Sequence, residues 1–108
     1  MSIEIKPFTN QRLVTAAGTP EKVKEAPEWQ QSKIISVTFR AHTANAGYVY
    51  LGFSNGITFA TDGFLLSPGE TITLDVHDFR DAFIDLSKIY IDAANNGDGV
   101  SYIAFEVL

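Results

Sequence analysis

Apolar and polar residues alternate with a period of two in run after run of this chain, and that period constrains its fold more than any other feature. Successive side chains of a β-strand point to opposite faces, so an alternating run places its apolar residues on one face. The sets that we assign to a buried face are Ile35, Val37, Phe39 and Ala41; Val49, Leu51 and Phe53; Ile72, Leu74 and Val76; Ile89, Ile91 and Ala93; and Ile103, Phe105 and Val107. The sequence therefore predicts a series of half-buried strands.

Turn-forming residues separate these runs. Pro68 and Gly69 predict a type II turn, because proline presets φ and glycine accepts the positive φ that follows. Loops rich in Asn, Asp and Gly predict hairpins around 43–47 and 94–99. Seven or eight short strands with such turns indicate an all-β fold, an antiparallel β-sandwich or small barrel of the jelly-roll or immunoglobulin-like kind. We expect one domain over residues 1–108, with 1–12 as a flexible or docking N-terminal arm.

Composition disfavours several classes of function. The chain has 8 basic and 13 acidic residues, a net charge of −5, whereas nucleic-acid binding depends on clustered Lys and Arg. It has no cysteine, which excludes disulfides and thiolate metal sites. No apolar run approaches the ~20 residues that span a bilayer, and no basic-then-apolar leader opens the chain. We therefore expect synthesis in the cytoplasm and no nucleic-acid or membrane partner.

No group of residues forms a recognisable catalytic or metal-binding motif. His42 and His77 lack the spacing of a helix-borne zinc site, and no serine lies in a G-x-S-x-G elbow. The acidic residues single out no pair suited to glycoside hydrolysis. The segment 92–99 is rich in oxygen ligands of the kind calcium uses, but it lacks the order and the terminal Glu of a calcium loop, which favours a plain turn. We expect a non-enzymatic protein without catalytic residues, metal ligands or cofactors.

All four tyrosines fall opposite the predicted buried sets, so they are expected on the outer faces of their strands. They are Tyr48, Tyr50, Tyr90 and Tyr102. Tyrosine is enriched at interfaces and sugar sites because it combines a large apolar area with a hydrogen-bonding tip. We interpret the four as an interface, with Trp29 as a further candidate in an arm that docks on a neighbour. The alternatives are that tyrosine simply favours strands and that Trp29 packs under the sandwich.

Five segments together resemble a known group of proteins. They are VTAAGTP (14–20), ANAGYVYLG (44–52), GFLLSPGETI (63–72), DLSKIYID (85–92) and GDGVSY (97–102). In their order they resemble small β-sandwich proteins encoded in the structural-gene regions of tailed bacteriophages and prophages. These are strand and turn motifs, so they specify a fold more than an activity.

The resemblance implies a component of the virion. Capsid decoration proteins, which stabilise the head by binding its surface, are the first expectation, and fibre or adhesin modules are the second. The implied partner is the major capsid protein or another virion protein, and we expect a symmetric homo-oligomer. The residues themselves leave a different class open, a carbohydrate-binding module that uses the tyrosine face to stack on sugar rings.

Overall fold

The computed structural model of the protein describes residues 4–24, 33–56, 63–76 and 83–107. The strands are β1 (Ile5–Leu13), β2 (Glu21–Lys22), β3 (Ile34–Ala41), β4 (Val49–Gly52), β5 (Phe64–Leu66), β6 (Thr71–Asp75), β7 (Tyr90–Ala93) and β8 (Gly99–Val107). A short 3₁₀-helix spans Leu86–Lys88, and the Asp85 side chain caps it by accepting from the Ser87 N–H at 2.9 Å. Within these ranges no helix has the length and apolarity that crossing a membrane requires.

The strands form two antiparallel sheets of four strands each. The first sheet has the order β1-β8-β3-β6, and the second has the order β2-β7-β4-β5. Every connection between these strands except the one from β4 to β5 passes from one sheet to the other. This is the strand order of an eight-stranded jelly roll. The predicted antiparallel sandwich is confirmed, and its connectivity matches the jelly roll rather than the immunoglobulin-like arrangement.

The two predicted hairpins are wrong. β3 and β4 lie in different sheets, and so do β7 and β8, so both Asn- and Gly-rich loops arch from one sheet to the other. The alternation of apolar and polar residues indicates only that a strand buries one face. The next strand satisfies that requirement either by pairing beside it or by lying across the core from it. The predicted turn at Gly69 is present, with a φ of +86° and a bond of 2.9 Å from the Glu70 N–H to the Ser67 carbonyl.

The segment 1–12, predicted as a flexible or docking arm, belongs to the first sheet from Ile5 onward. β1 pairs with β8 in an unbroken register that runs from Ile5 opposite Val107 to Leu13 opposite Gly99. The sequence of β1 gave little sign of this because it is an edge strand, exposed over most of its length, in which Phe8 supplies the contact with the core. Residues 1–3 lie outside the described ranges.

The core fills the space between the two sheets. The first sheet contributes Val37, Phe39, Ala41, Val100, Tyr102 and Ala104, and the second contributes Val49, Leu51, Leu66, Ile91 and Ala93. Three aromatic rings meet at the centre of the first sheet. The Tyr102 ring lies 5.5 Å from that of Phe39 and 6.4 Å from that of Phe8, measured between ring centroids.

The face of β8 that packs on the core is the opposite of the predicted one. Tyr102 is buried, with 2% of its surface exposed, whereas Ile103 and Phe105 point outward. Both faces of the segment SYIAFEV carry apolar residues, so alternation alone does not decide which face is inside. Pairing decides it, because Tyr102 lies opposite Phe39 and the small Ala104 lies opposite Val37 on the inner side of β3.

Candidate functional site

Four apolar residues lie together on the outer face of the first sheet, and we call them the outer patch: Ile5, Pro7, Ile103 and Phe105. Pro7 lies directly opposite Phe105 in the β1–β8 ladder, and Ile5 and Ile103 each lie two residues earlier in their own strand, on the same face. Ile5, Ile103 and Phe105 expose 46%, 49% and 40% of their surface. A sheet face in contact with water alone ordinarily carries polar residues. The outer patch therefore has the composition of a contact surface.

The sequence prediction missed the outer patch because it assigned Ile103 and Phe105 to the core. The available signal was the pattern of β8 itself, in which both faces are apolar. That pattern is typical of a strand covered on both sides. β8 is a middle strand of the first sheet, and within the described residues only its inner face is covered by the second sheet.

Polar side chains border the outer patch on the side of β3 and β6. Thr38 lies opposite Ile103, and its Oγ1 is 2.8 Å from the Oγ1 of Thr73 on the next strand. Ser36 lies opposite Phe105, with Asp75 beyond it on β6. An apolar centre with a hydroxyl- and carboxylate-bearing rim is typical of protein interfaces.

A shallow groove crosses the same face beyond Ile103, towards the start of β8. Its lining includes Gln11, Arg40, Thr71 and Ser101 beside Ile103. At its margin the Nε2 of His42 lies 2.8 Å from the Oγ of Ser101. In the part of the chain that the structure describes, no carboxylate lies within ion-pair distance of Arg40. The groove thus offers guanidinium, amide and hydroxyl groups next to an apolar floor.

The four tyrosines predicted as an interface do not share one surface. Tyr102 lies in the core, so its predicted outward orientation is wrong. Tyr50 and Tyr90 lie on the outer face of the second sheet, where both are half-buried, and Tyr48 just before β4 exposes 47% of its surface. An interface role for these three stays a prediction. Trp29 lies outside the described residues.

The hydroxyl of Tyr50 is engaged by a buried carboxylate. Asp92, 1% exposed, accepts from the Tyr50 hydroxyl at 2.9 Å and from the Gly18 N–H at 2.9 Å. Its Oδ1 also accepts from the Ala93 N–H at 2.8 Å. Burial, followed by the hydrogen bond to Asp92 and the charge of that carboxylate, raises the pKa of Tyr50 to about 12. This pair ties the loop after β1 to the second sheet.

The segment 92–99, whose composition is partly that of a calcium loop, makes structural contacts. The two carboxylate oxygens of Asp98 accept from the N–H groups of Ala46 and Gly47, each at 2.9 Å. The Asn45 amide pairs with the backbone of Gly99 in both directions at 3.0 Å, as a strand would. A Cβ at Gly99 would clash with the Arg12 carbonyl oxygen, so only glycine fits there. These contacts join the two arches at one end of the sandwich.

A further carboxylate, that of Glu21, also serves the fold. Glu21 forms an ion pair of 2.9 Å with Arg12 and accepts from the N–H groups of Thr15 and Ala16. Burial raises the pKa of Glu21, but the hydrogen bonds from Ala16 and Thr15 outweigh it, so that the pKa lies below its ordinary value. No group of three or more potential metal ligands occurs among the residues described, which do not include His77.

No protein-family model matches this chain, and no curated protein matches it either.

Proposed function

We propose that the protein is a non-enzymatic structural component of a tailed-bacteriophage particle, a capsid decoration protein that binds the capsid surface through the outer patch. The observation that carries this proposal is the outward apolar face of β8, where Ile103 and Phe105 are exposed on a middle strand of the first sheet. Apolar side chains at the centre of a sheet, bordered by hydroxyls, favour a protein surface as the cover.

The sequence resemblance supports the class of particle. Its five segments correspond in this structure to the arch after β1, the arch into β4, the turn between β5 and β6, and the segments that lead into β7 and β8. These parts form the jelly roll itself. The particle and the capsid partner are proposed on this resemblance, and the contact surface is proposed on the outer patch.

The energetics of the outer patch suit a repeated contact. Fully burying an Ile or Phe side chain contributes about 1.5–3 kcal/mol, and these side chains are already about half-buried, so each adds roughly 1 kcal/mol on docking. Such a surface binds weakly as a single copy. On a capsid lattice, where many copies bind at once, weak contacts add through avidity.

The groove beside the outer patch favours a second candidate function, carbohydrate binding. Arg40, Gln11 and Ser101 present donors and acceptors that match sugar hydroxyls, and Ile103 supplies an apolar contact. This site differs from the tyrosine face proposed from the sequence, because it lies on the first sheet. An adhesin or fibre module would use it.

The experiment that tests the proposal is quantitative mass spectrometry of purified particles made by the genome that encodes this chain. We expect the chain in a fixed ratio to the major capsid protein, and we expect its removal by mild denaturant to be reversed when purified protein is added back. Particles that lack the chain would contradict the proposal.

The same purified protein on a glycan array separates the two candidates. Specific glycan binding that is lost in Arg40→Ala would favour the carbohydrate module. It would do so most strongly if the purified protein also failed to bind the particles. We expect no glycan to bind specifically.

A further inference from the structure

The free edge of the first sheet is formed by β1, and its unpaired backbone groups can be assigned. The Val14 N–H donates to the Asp98 carbonyl at 2.8 Å, on the side of β8. In an antiparallel strand, successive residues direct their backbone N–H and C=O groups alternately to one neighbouring strand and to the other. The backbone groups of the even-numbered residues of β1 therefore point towards β8, and those of the odd-numbered residues point to the free edge. The Gln11 N–H agrees with this, because it donates at 2.8 Å to the side chain of Asn10 and not to β8.

We propose that a second copy of this chain pairs antiparallel along β1, with the twofold axis at Thr9. The residues of β1 whose backbone groups point to the free edge are Ile5, Pro7, Thr9, Gln11 and Leu13. With Thr9 opposite the partner's Thr9, all five have an opposite residue, and the two first sheets join into one sheet of eight strands. This inference concerns self-association. It shares Ile5 with the outer patch but does not depend on the proposed capsid binding.

The side chains of β1 favour this register. Ile5 and Leu13 lie on the same face at equal distances from Thr9, and they expose 46% and 42% of their surface. In the proposed pairing Ile5 lies opposite the partner's Leu13 at each end, so all four side chains leave water together. A shift of two residues in either direction leaves one of these apolar groups unpaired and shortens the ladder.

Pro7 and the charged residues of β1 are compatible with the same register. Pro7 has no N–H to donate, but its carbonyl lies where the N–H of the partner's Gln11 is expected to donate, in place of the present bond to Asn10. On the other face, Lys6 comes opposite the partner's Arg12. Within each chain Arg12 is already paired with Glu21 at 2.9 Å, and Lys6 lies opposite Glu106 in the ladder.

The other free edges of the two sheets are less suited to pairing with a second copy. β2 and β5 have 2 and 3 residues, which is too short for a ladder of this kind. β6 has 5 residues, and its outward backbone groups belong to Thr71, Thr73 and the acidic Asp75. β1 has 9 residues and the symmetric pair of apolar side chains. β1 carries Lys6 and Pro7, which commonly protect an edge from pairing, but it is the longest of the four edges.

A single cysteine tests the register, because the natural chain has none. In Thr9→Cys the two cysteines of the proposed dimer lie about 5.5 Å apart between Cα atoms, which permits a disulfide. In Gln11→Cys, on the same edge, the two cysteines lie about 14 Å apart along the strands. We expect air-oxidised Thr9→Cys to run as a cross-linked dimer on a non-reducing gel and Gln11→Cys to stay a monomer. Equal cross-linking of the two variants overturns the register.

Sedimentation velocity tests the association itself. We expect the wild type to shift from monomer to dimer as its concentration rises. Thr9→Lys, which brings two lysines together at the axis, is expected to stay monomeric with an unchanged circular dichroism spectrum. Thr9→Val is the matched control and is expected to dimerise. A wild type that is monomeric at every concentration, or a Thr9→Lys variant that dimerises as the wild type does, overturns the proposal.

Discussion

Two buried carboxylates hold loops of the sandwich in place at the scale of single residues. Asp92 accepts from the Gly18 N–H and the Tyr50 hydroxyl, and Asp98 accepts from the N–H groups of Ala46 and Gly47. Hydrogen bonds to a charged acceptor contribute about 1.5–3 kcal/mol each, more than neutral ones. The polar residues that suggested a ligand loop in the sequence therefore stabilise the connections between the two sheets.

Replacing Tyr50 tests the contact with Asp92. Tyr50→Phe removes one donor from a buried carboxylate, and we expect the free energy of unfolding at neutral pH to fall by about 1–2 kcal/mol. The pKa of Tyr50 in the folded protein, about 12, lies above the ordinary value of 10.0. The stabilisation is therefore complete below pH 10 and is lost as the pH rises through 12.

Absorbance of the phenolate measures that titration directly. Burial also raises the pKa of Tyr102, so the informative quantity is the difference between the wild type and each variant. We expect Tyr50→Phe to remove a late step near pH 12. Tyr48→Phe is the control, because it removes an exposed tyrosine and leaves that step in place. If the step lost in Tyr50→Phe lies near pH 10, the contact with Asp92 does not raise the pKa of Tyr50.

At the scale of the element, the sequence predicted strands well and their faces less well. β3 was predicted correctly from Val37 to Ala41, where apolar and polar residues alternate. Ile35 was predicted buried as well, but a shift in register near it places Ile34 in the core instead. β8 was turned the wrong way because Tyr102 and Ile103 are both apolar neighbours, and the inner face is decided by pairing with β3. Most of β1 was assigned to an arm because an edge strand needs few apolar residues.

The two faces of β8 give a prediction about stability. Tyr102→Ala empties the space against Phe39 and Phe8, and we expect it to lower the free energy of unfolding by about 3–5 kcal/mol. The adjacent Ile103→Ala is the matched control on the outer face and is expected to cost at most about 1 kcal/mol. Urea denaturation measures both. A larger loss in Ile103→Ala than in Tyr102→Ala would show that the face assignment is inverted.

At the scale of the whole molecule, the connectivity was beyond the local signals of the sequence. Asn- and Gly-rich loops serve hairpins and arches alike, and the difference lies in long-range contacts such as that between Asn45 and Gly99. The predicted antiparallel sandwich did not depend on this distinction. The candidate site does depend on long-range contacts. The outer patch joins Ile5 and Phe105, which are far apart in the sequence and meet only when β1 pairs with β8.

The central claim is that the outer patch is the surface that binds the particle. Its most direct test is co-sedimentation of the purified protein with particles from which it has been removed. For the double variant Ile103→Thr with Phe105→Ser we expect the apparent affinity to fall tenfold or more, since about 1.4 kcal/mol corresponds to a factor of ten. Tyr48→Ser, on the opposite side of the sandwich, is expected to bind as the wild type does. A double variant that remains folded and binds like the wild type would contradict the claim.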